Sequence, residues 1–138
     1  MIKIKSQEEI ELMREACRIT RDTLKVVEDS IRVGISTKEL DKIAYDYIKS
    51  QGATPSFKNY SGFPASICAS INNTVVHGIP KDNVILKDGD IISIDCGAKY
   101  KGYHGDAART FLVGKVDPKV KRLIKITEQS FFEGIKDL

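Results

Sequence analysis

Apolar residues recur at three- and four-residue steps through two neighbouring stretches near the start of the chain. A serine followed three residues later by a glutamate, a signature of helix N-termini, opens these stretches at Ser6 and Ser36. Glycines that suit helix C-termini follow at Gly34 and Gly52. The pattern therefore predicts two amphipathic helices. Their apolar stripes are Ile10, Met13, Cys17, Thr20, Leu24, Val27 and Ile31, then Leu40, Ile43, Ala44, Tyr47 and Ile48.

The middle of the chain alternates with the two-residue period of strands. A loop bracketed by Pro55 and Pro64 precedes residues 66–71, which are predicted to form a strand. Residues 75–77 predict a second, short strand. An Asp-Gly turn then leads into residues 91–113, which predict a β-hairpin. A mainly antiparallel sheet is therefore expected to follow the two helices.

A third helix is predicted at the end of the chain. Asp117 and Pro118 occupy the cap and first-turn positions that favour helix initiation. The apolar stripe that follows is Val120, Leu123, Ile124, Thr127, Phe131, Ile135 and Leu138. The sequence shows no C-capping residue after this stripe, which predicts that the helix belongs to a larger domain. Without repeats or linker-like stretches, residues 1–138 are expected to form one compact unit.

The hairpin carries an acid in each of its two apolar strands. If it folds back around Tyr100 and Lys101, Asp95 faces Asp106 directly on one side of the sheet. Like charges so placed repel each other, and a cation between them would relieve the repulsion. A proton shared by the two acids, or a bulge near Gly102 or Gly105 that turns one acid to solvent, would also do so. The pattern alone leaves these alternatives open.

Composition favours a globular protein that binds neither nucleic acid nor membrane. The chain is 41% apolar and 30% charged, and its net charge of +3 is small and dispersed. The N-terminus lacks an apolar stretch long enough for a signal peptide or membrane span, which predicts a cytoplasmic protein. Cys17, Cys68 and Cys96 lack CxxC spacing and are predicted to be buried free thiols.

Three ordered motifs resemble those of the type I methionine aminopeptidases. They are Asn-Asn-Thr-Val-Val-His-Gly-Ile-Pro ending at Pro80, Asp-Gly-Asp-Ile-Ile-Ser-Ile-Asp ending at Asp95, and His-Gly-Asp-Ala-Ala-Arg-Thr ending at Thr110. The resemblance covers essentially the whole chain. It implies an α/β (α+β) fold of the pita-bread type. Residues 1–138 would form the N-terminal half of a single catalytic domain, a curved, mainly antiparallel sheet with helices on one face.

The resemblance also implies a metal-dependent aminopeptidase that removes the initiator methionine from nascent proteins. Asp95 and Asp106 match the first two of five metal ligands, which would hold two divalent ions of cobalt, manganese, iron or zinc. The other three ligands of the family, a histidine and two glutamates, have no matching positions in this sequence. The 138 residues alone are therefore expected to be inactive.

Further residues gain roles from the same resemblance. His77 would act in catalysis and substrate binding by stabilising the tetrahedral intermediate, although a lone histidine is more often structural. The pocket for the substrate methionine would be formed by Phe57, Tyr60, Phe63 and Cys68, although aromatic residues in such a loop are more often core plugs. His104 is predicted to be structural or to support the metal ligands, and to face away from Asp106.

Two other functions stay open at this level. One is a non-catalytic pita-bread binding module, and the other is a peptidase that cleaves before proline, a class that usually carries a large domain ahead of the first helix. The expected partners are nascent peptide N-termini, with an encounter near the ribosome left open. An isolated half would expose a sheet edge, which predicts a homodimer in competition with aggregation or a partly unfolded monomer.

Overall fold

The computed structural model describes residues 3–136, which begin with two capped helices, α1 (Gln7–Ser30) and α2 (Thr37–Ser50). At each predicted N-cap the serine hydroxyl accepts a hydrogen bond from the backbone of the glutamate three residues on. That glutamate side chain accepts one from the serine N–H in return. The second helix ends just before Gly52, as predicted. The first helix ends before Gly34, since Ile31 is already extended.

Four antiparallel strands follow. They are β1 (Thr54–Pro55), β2 (Ile67–Ile71), β3 (Ile91–Tyr100) and β4 (Tyr103–Leu112). The central strand β3 pairs with β4 along its whole length, so β1 and β2 share its other edge. The predicted strand over 66–71 and the predicted hairpin are confirmed, and the two-residue strand β1 is an addition.

The prediction of a strand over residues 75–77 is wrong. These residues lie in an irregular segment, and His77 has a left-handed backbone with a φ of 57°. The segment instead meets the edge of β2 at Gly78, whose carbonyl accepts a hydrogen bond from Ala69 N at 2.8 Å. An added Cβ at Gly78 would lie 2.2 Å from Ala69 O, so this close approach requires glycine.

The hairpin turn lies one residue further along the chain than the sequence pattern predicts, which shifts the pairing register by two residues. Lys101 and Gly102 both have positive φ, 46° and 92°, and the closing pair is Tyr100 with Tyr103. Such a two-residue turn suits the twist of the strands, and glycine favours it here. Asp95 consequently pairs with Ala108, and Asp106 pairs with Gly97, so the predicted direct Asp95–Asp106 pairing is wrong. Because the shift is even, both acids remain on the same face.

The core lies between the first two helices and the opposite face of the sheet. From β3 it contains Ile92, Ile94, Cys96 and Ala98, each fully buried. Helix α1 packs on β3 and β4, and α2 packs on β1 and β2, which confirms helices on one face. Cys68 and Cys96 are buried as predicted, but Cys17 is exposed, because the neighbouring Ala16 takes the position that faces the sheet.

Helix α3 (Pro118–Gly134) begins at the predicted cap, where Asp117 accepts a hydrogen bond from Lys119 N. Among the described residues of α3 no side chain is buried, and Leu123 and Phe131 are 60% and 61% exposed. Among residues 3–136 most of the predicted apolar stripe is therefore exposed, although Val120 and Ile124 are partly buried. Its last member, Leu138, lies outside the described residues. Among residues 3–136 no helix is both long enough and apolar enough to cross a membrane.

Candidate active site

Two carboxylates lie on the sheet face that the helices leave free. Asp95 on β3 is partly buried, and Asp106 on β4 is exposed. They occupy diagonal positions across the hairpin, because Asp106 pairs with Gly97, two residues beyond Asp95. Diagonal neighbours in a sheet are within reach of each other's side chains. The hairpin thus brings the two predicted metal ligands together.

The surroundings of Asp95 disfavour its charge. Burial is the main cause that raises the pKa of Asp95, and the nearby Asp106 carboxylate raises it further, whereas His77 acts in the opposite direction. Asp95 Oδ1 is buried and has no hydrogen-bond partner within residues 3–136. A buried carboxylate oxygen left without a donor is costly unless a proton or a cation satisfies it.

The donor set fits part of a metal site. Carboxylate oxygens are ligands for divalent cations, and the orphaned Asp95 oxygen provides a free donor next to Asp106. Within the described residues no group of three or more histidine, cysteine, aspartate or glutamate side chains is placed to hold a metal ion. These residues could therefore supply part of a coordination shell and would need further ligands to complete it.

His77 stands at the mouth of the same face. Its left-handed backbone is followed by Gly78, whose N–H donates to Ser70 Oγ at 3.1 Å and whose carbonyl accepts from Ala69 N. These two bonds fix the segment to the edge of β2. The imidazole is consequently exposed, yet close enough to Asp95 to affect its pKa.

The loop between α2 and β2 forms the apolar wall of the site. Its first end is held by Ser56 N, which donates to the carbonyl of Gly97 at 2.8 Å. At its other end the buried carboxylate of Asp41 accepts from Ser66 N at 2.7 Å. Between them Asn59 N donates to Phe63 O at 2.8 Å, which closes the loop on itself. The aromatic side chains are therefore presented from an anchored loop.

A single pocket of about 600 Å³ collects all seven site residues predicted from the sequence. Its lining comprises Phe57, Tyr60, Ser61, Gly62, Phe63, Pro64, Cys68, His77, Ile79, Asp95 and Asp106. Ser61, Gly62, Pro64 and Ile79 were not predicted. They could have been predicted from their neighbours in the sequence. The first three lie between predicted lining residues, and Ile79 follows the His-Gly pair.

Cys68 links the apolar wall to the carboxylates. It lies on β2 directly opposite Asp95 in the register and is buried. Burial raises the pKa of the Cys68 thiol to about 11, and the Asp95 and Asp106 carboxylates contribute to the rise. At neutral pH the pocket therefore contains a neutral, polarizable thiol beside the acids.

The prediction that His104 faces away from Asp106 is wrong. Residues two apart on a strand share a face, so His104 and Asp106 point to the same side of β4. The imidazole Nδ1 of His104 lies 2.9 Å from the hydroxyl of Ser56, at the base of the pocket loop. His104 thus ties β4 to the start of that loop.

Several known proteins are similar to this chain in sequence or in structure. A methionine aminopeptidase from Clostridium acetobutylicum is 52% identical over 136 residues, which are 99% of this chain and 54% of that protein. The solved structure of a methionine aminopeptidase from Thermotoga maritima has a TM-score of 0.96 at 36% identity, over 100% of this chain and 55% of that one. The solved structure of an Xaa-Pro dipeptidase from Bacillus anthracis has a TM-score of 0.74 at 30% identity. The match covers 86% of this chain and 32% of the dipeptidase chain.

The chain therefore spans about half the length of the methionine aminopeptidases that it matches. Its mixed α/β architecture is that of the pita-bread fold, as the sequence motifs predict. The family model for metallopeptidase family M24, a family that uses divalent metal ions, matches residues 11–138. With nearly its whole length matched, the chain belongs to metallopeptidase family M24.

Proposed function

We propose that residues 1–138 form the N-terminal half of the catalytic domain of a methionine aminopeptidase, which removes the initiator methionine from nascent proteins in the cytoplasm. The observation that carries this proposal is the shared pocket, where Asp95, Asp106 and His77 meet an apolar aromatic wall. An aminopeptidase for an apolar first residue needs both parts, one for hydrolysis and one for the side chain. The names of the relatives agree with this reaction.

Asp95 and Asp106 would hold two divalent metal ions together with ligands from outside these 138 residues. Such ions supply Lewis acidity and lower the pKa of water. Carboxylate oxygens do not choose among cobalt, manganese, iron and zinc, so the metal is set by the remaining ligands and by availability. The orphaned oxygen of Asp95 supports its role as a ligand.

The apolar wall would bind the substrate methionine. Phe57 and Phe63 offer aromatic surface, and the neutral thiol of Cys68 offers a soft contact for a thioether. Tyr60 is 74% exposed and stands at the rim, where it can cover a bound side chain. Aromatic surface and a polarizable thiol together suit an unbranched side chain that contains sulfur.

His77 would act on the scissile peptide bond. Its backbone is fixed to β2 through Gly78, and its imidazole lies on the carboxylate side of the pocket. From there it can donate a hydrogen bond to the substrate amide region and stabilise the charge that develops there. Nascent peptide N-termini, presented close to the ribosome, are the proposed substrates.

Reconstitution of the two halves tests the proposal. The 138-residue chain alone should release no methionine from a Met-Ala-Ser peptide, because it lacks the base and three ligands of the family pattern. Addition of a separately expressed second half from a relative, with a divalent metal, should restore release. His77→Ala should abolish it, while the surface variant Lys42→Ala should not. Full activity of the 138 residues alone would overturn the half-domain proposal.

A further inference from the structure

Gly97 lies next to the pocket residue Phe57, on the same strand face as Asp95 and opposite Asp106 in the register. A Cβ added at Gly97 would lie 2.8 Å from Cε1 of Phe57 and 2.9 Å from Cβ of Ser56. Carbon atoms pack at about 3.5–4.0 Å, so both distances are too short. The Phe57 ring therefore occupies the space that a side chain at position 97 would need.

The neighbouring backbone cannot easily give way. Ser56 N donates to the carbonyl of Gly97 at 2.8 Å, and Ser56 Oγ is 2.9 Å from Nδ1 of His104. The residue before Phe57 is thus tied to both β3 and β4. By contrast, the Phe57 ring is a partly exposed side chain with an open pocket beside it. A larger residue at position 97 would displace the ring into the pocket.

We propose that Gly97 is a specificity-determining residue, because its missing side chain sets the position of the Phe57 ring and hence the depth of the pocket. The inference rests on the proposed function, in which this pocket holds the methionine side chain. Gly97 and Phe57 act as a pair: the bulky ring is compatible with a deep pocket only when position 97 carries no side chain. A methyl group at position 97 makes the pocket favour shorter side chains.

Two probes of different length test the pair in the 138-residue chain. Binding of L-methionine amide and of the shorter L-2-aminobutyric acid amide is measured by NMR titration. Gly97→Ala should weaken the longer probe relative to the shorter one by roughly tenfold, the scale of one methylene in an apolar pocket. In the Phe57→Ala background the same change should alter this ratio less than about twofold, because the obstructing ring is gone. Gly134→Ala, where an added Cβ meets nothing within 4 Å, is the control.

Several results would overturn the inference. One is that Gly97→Ala weakens the binding of both probes equally. Another is that Gly97→Ala changes the ratio of the two affinities by the same factor with and without the Phe57 ring. A third is that neither probe binds to the unaltered chain. If Gly97→Ala alone fails to fold, the comparison is made in a Ser56→Gly background, because the Cβ of Ser56 is the other atom that an added Cβ would meet. An unchanged ratio of the two probes on Gly97→Ala in that background contradicts the pairing. Failure of the proposed function has a different signature, namely no methionine release by the reconstituted halves with the change in probe selectivity retained.

Discussion

At the scale of single residues, the carboxylate pair is the feature on which the proposed chemistry depends. The surroundings of Asp95 disfavour its charged form, since burial and Asp106 both raise its pKa, and one of its oxygens lacks a partner within residues 3–136. Asp106 has a different environment, because it is exposed at the strand that ends the described sheet. Because the two carboxylates nevertheless lie side by side, they should contribute jointly to metal binding.

Metal titration measures this contribution. With two carboxylates and water as the remaining ligands, the 138-residue chain should bind manganese or cobalt weakly, with a dissociation constant above the micromolar range. Asp106→Asn should reduce this binding further, whereas Asp46→Asn, an exposed change on α2, should leave it unchanged. Calorimetry is the measurement, and binding that is micromolar or tighter and survives Asp106→Asn would contradict the site.

A second pair of residues gives stability a pH dependence away from the metal ligands. The Tyr103 hydroxyl donates to Glu9 Oε1 at 2.7 Å, which links the hairpin to the start of α1. The pKa of Glu9 is lowered from 4.5, first by the backbone N–H of Ser6 and then by Tyr103. The pKa of Tyr103 is raised above 10, chiefly because the hydrogen bond to Glu9 favours the protonated hydroxyl.

These shifts predict opposite losses at the two ends of the pH scale. The lowered pKa of Glu9 gives stability that is present above its unfolded pKa and lost as the pH falls through the folded value. The raised pKa of Tyr103 gives stability that is present below its unfolded pKa and lost as the pH rises through the folded value. The Tm difference between the unaltered chain and Tyr103→Phe should therefore be greatest near neutral pH and shrink towards pH 3 and pH 11. A constant difference over this range would argue against the link, and Tyr47→Phe on α2 serves as the control.

At the scale of elements, the β3–β4 hairpin decides whether the site forms. Its turn places Lys101 and Gly102 at positive φ and thereby sets the register in which Asp106 pairs with Gly97. A one-residue slip would turn one carboxylate to the helix side of the sheet. The identity of the turn residues consequently controls the chemistry several residues away.

Substitution in the turn tests this control. Gly102→Ala should destabilise the chain by about 1–2 kcal/mol, because an L-residue is disfavoured at this positive φ. Urea unfolding measures the change. Gly134→Ala, near the end of α3, should have a much smaller effect or a slightly stabilising one, since alanine is favoured over glycine in a helix. Equal stability of the Gly102 variant and the unaltered chain would contradict the assigned turn.

At the scale of the whole molecule, the 138 residues leave two surfaces without a partner in the described part of the chain. The outer edge of β4 pairs with no strand among residues 3–136, and α3 exposes its apolar side chains there. Such surfaces favour association. We propose that the isolated chain forms a symmetric homodimer, in which a second copy covers the edge and the helix.

Sedimentation at several protein concentrations tests this association. A discrete dimer that persists on dilution is the expected result. Phe131→Ser on the exposed face of α3 should weaken the dimer, because Phe131 is 61% exposed and part of the apolar stripe. Thr37→Ser, at a buried position in α2, should not affect association. A well-folded monomer at all concentrations, or only heterogeneous aggregates, would overturn the dimer.

The amino-acid sequence by itself determined the elements and most of the site. The capping boxes fixed the starts of α1 and α2, and the Asp-Pro pair fixed the start of α3, because these signals act within one helical turn. The motifs contain His77, Asp95 and Asp106, and the family resemblance that they carry pointed to Phe57, Tyr60, Phe63 and Cys68, which together are seven of the eleven residues that line the pocket. The catalytic roles of those residues stay predictions.

Only the tertiary structure decided how these parts meet. The hairpin register depends on the backbone conformation of Lys101 and Gly102, which sequence periodicity does not report. The irregular course around His77 depends on the close approach of Gly78 to β2, a contact with a distant part of the chain. The close packing of the Phe57 ring against Gly97 is likewise a contact between residues that are far apart in sequence. Local patterns specify helices, strands and motifs, whereas register, close approach and pocket depth follow from contacts that form only when the chain is folded.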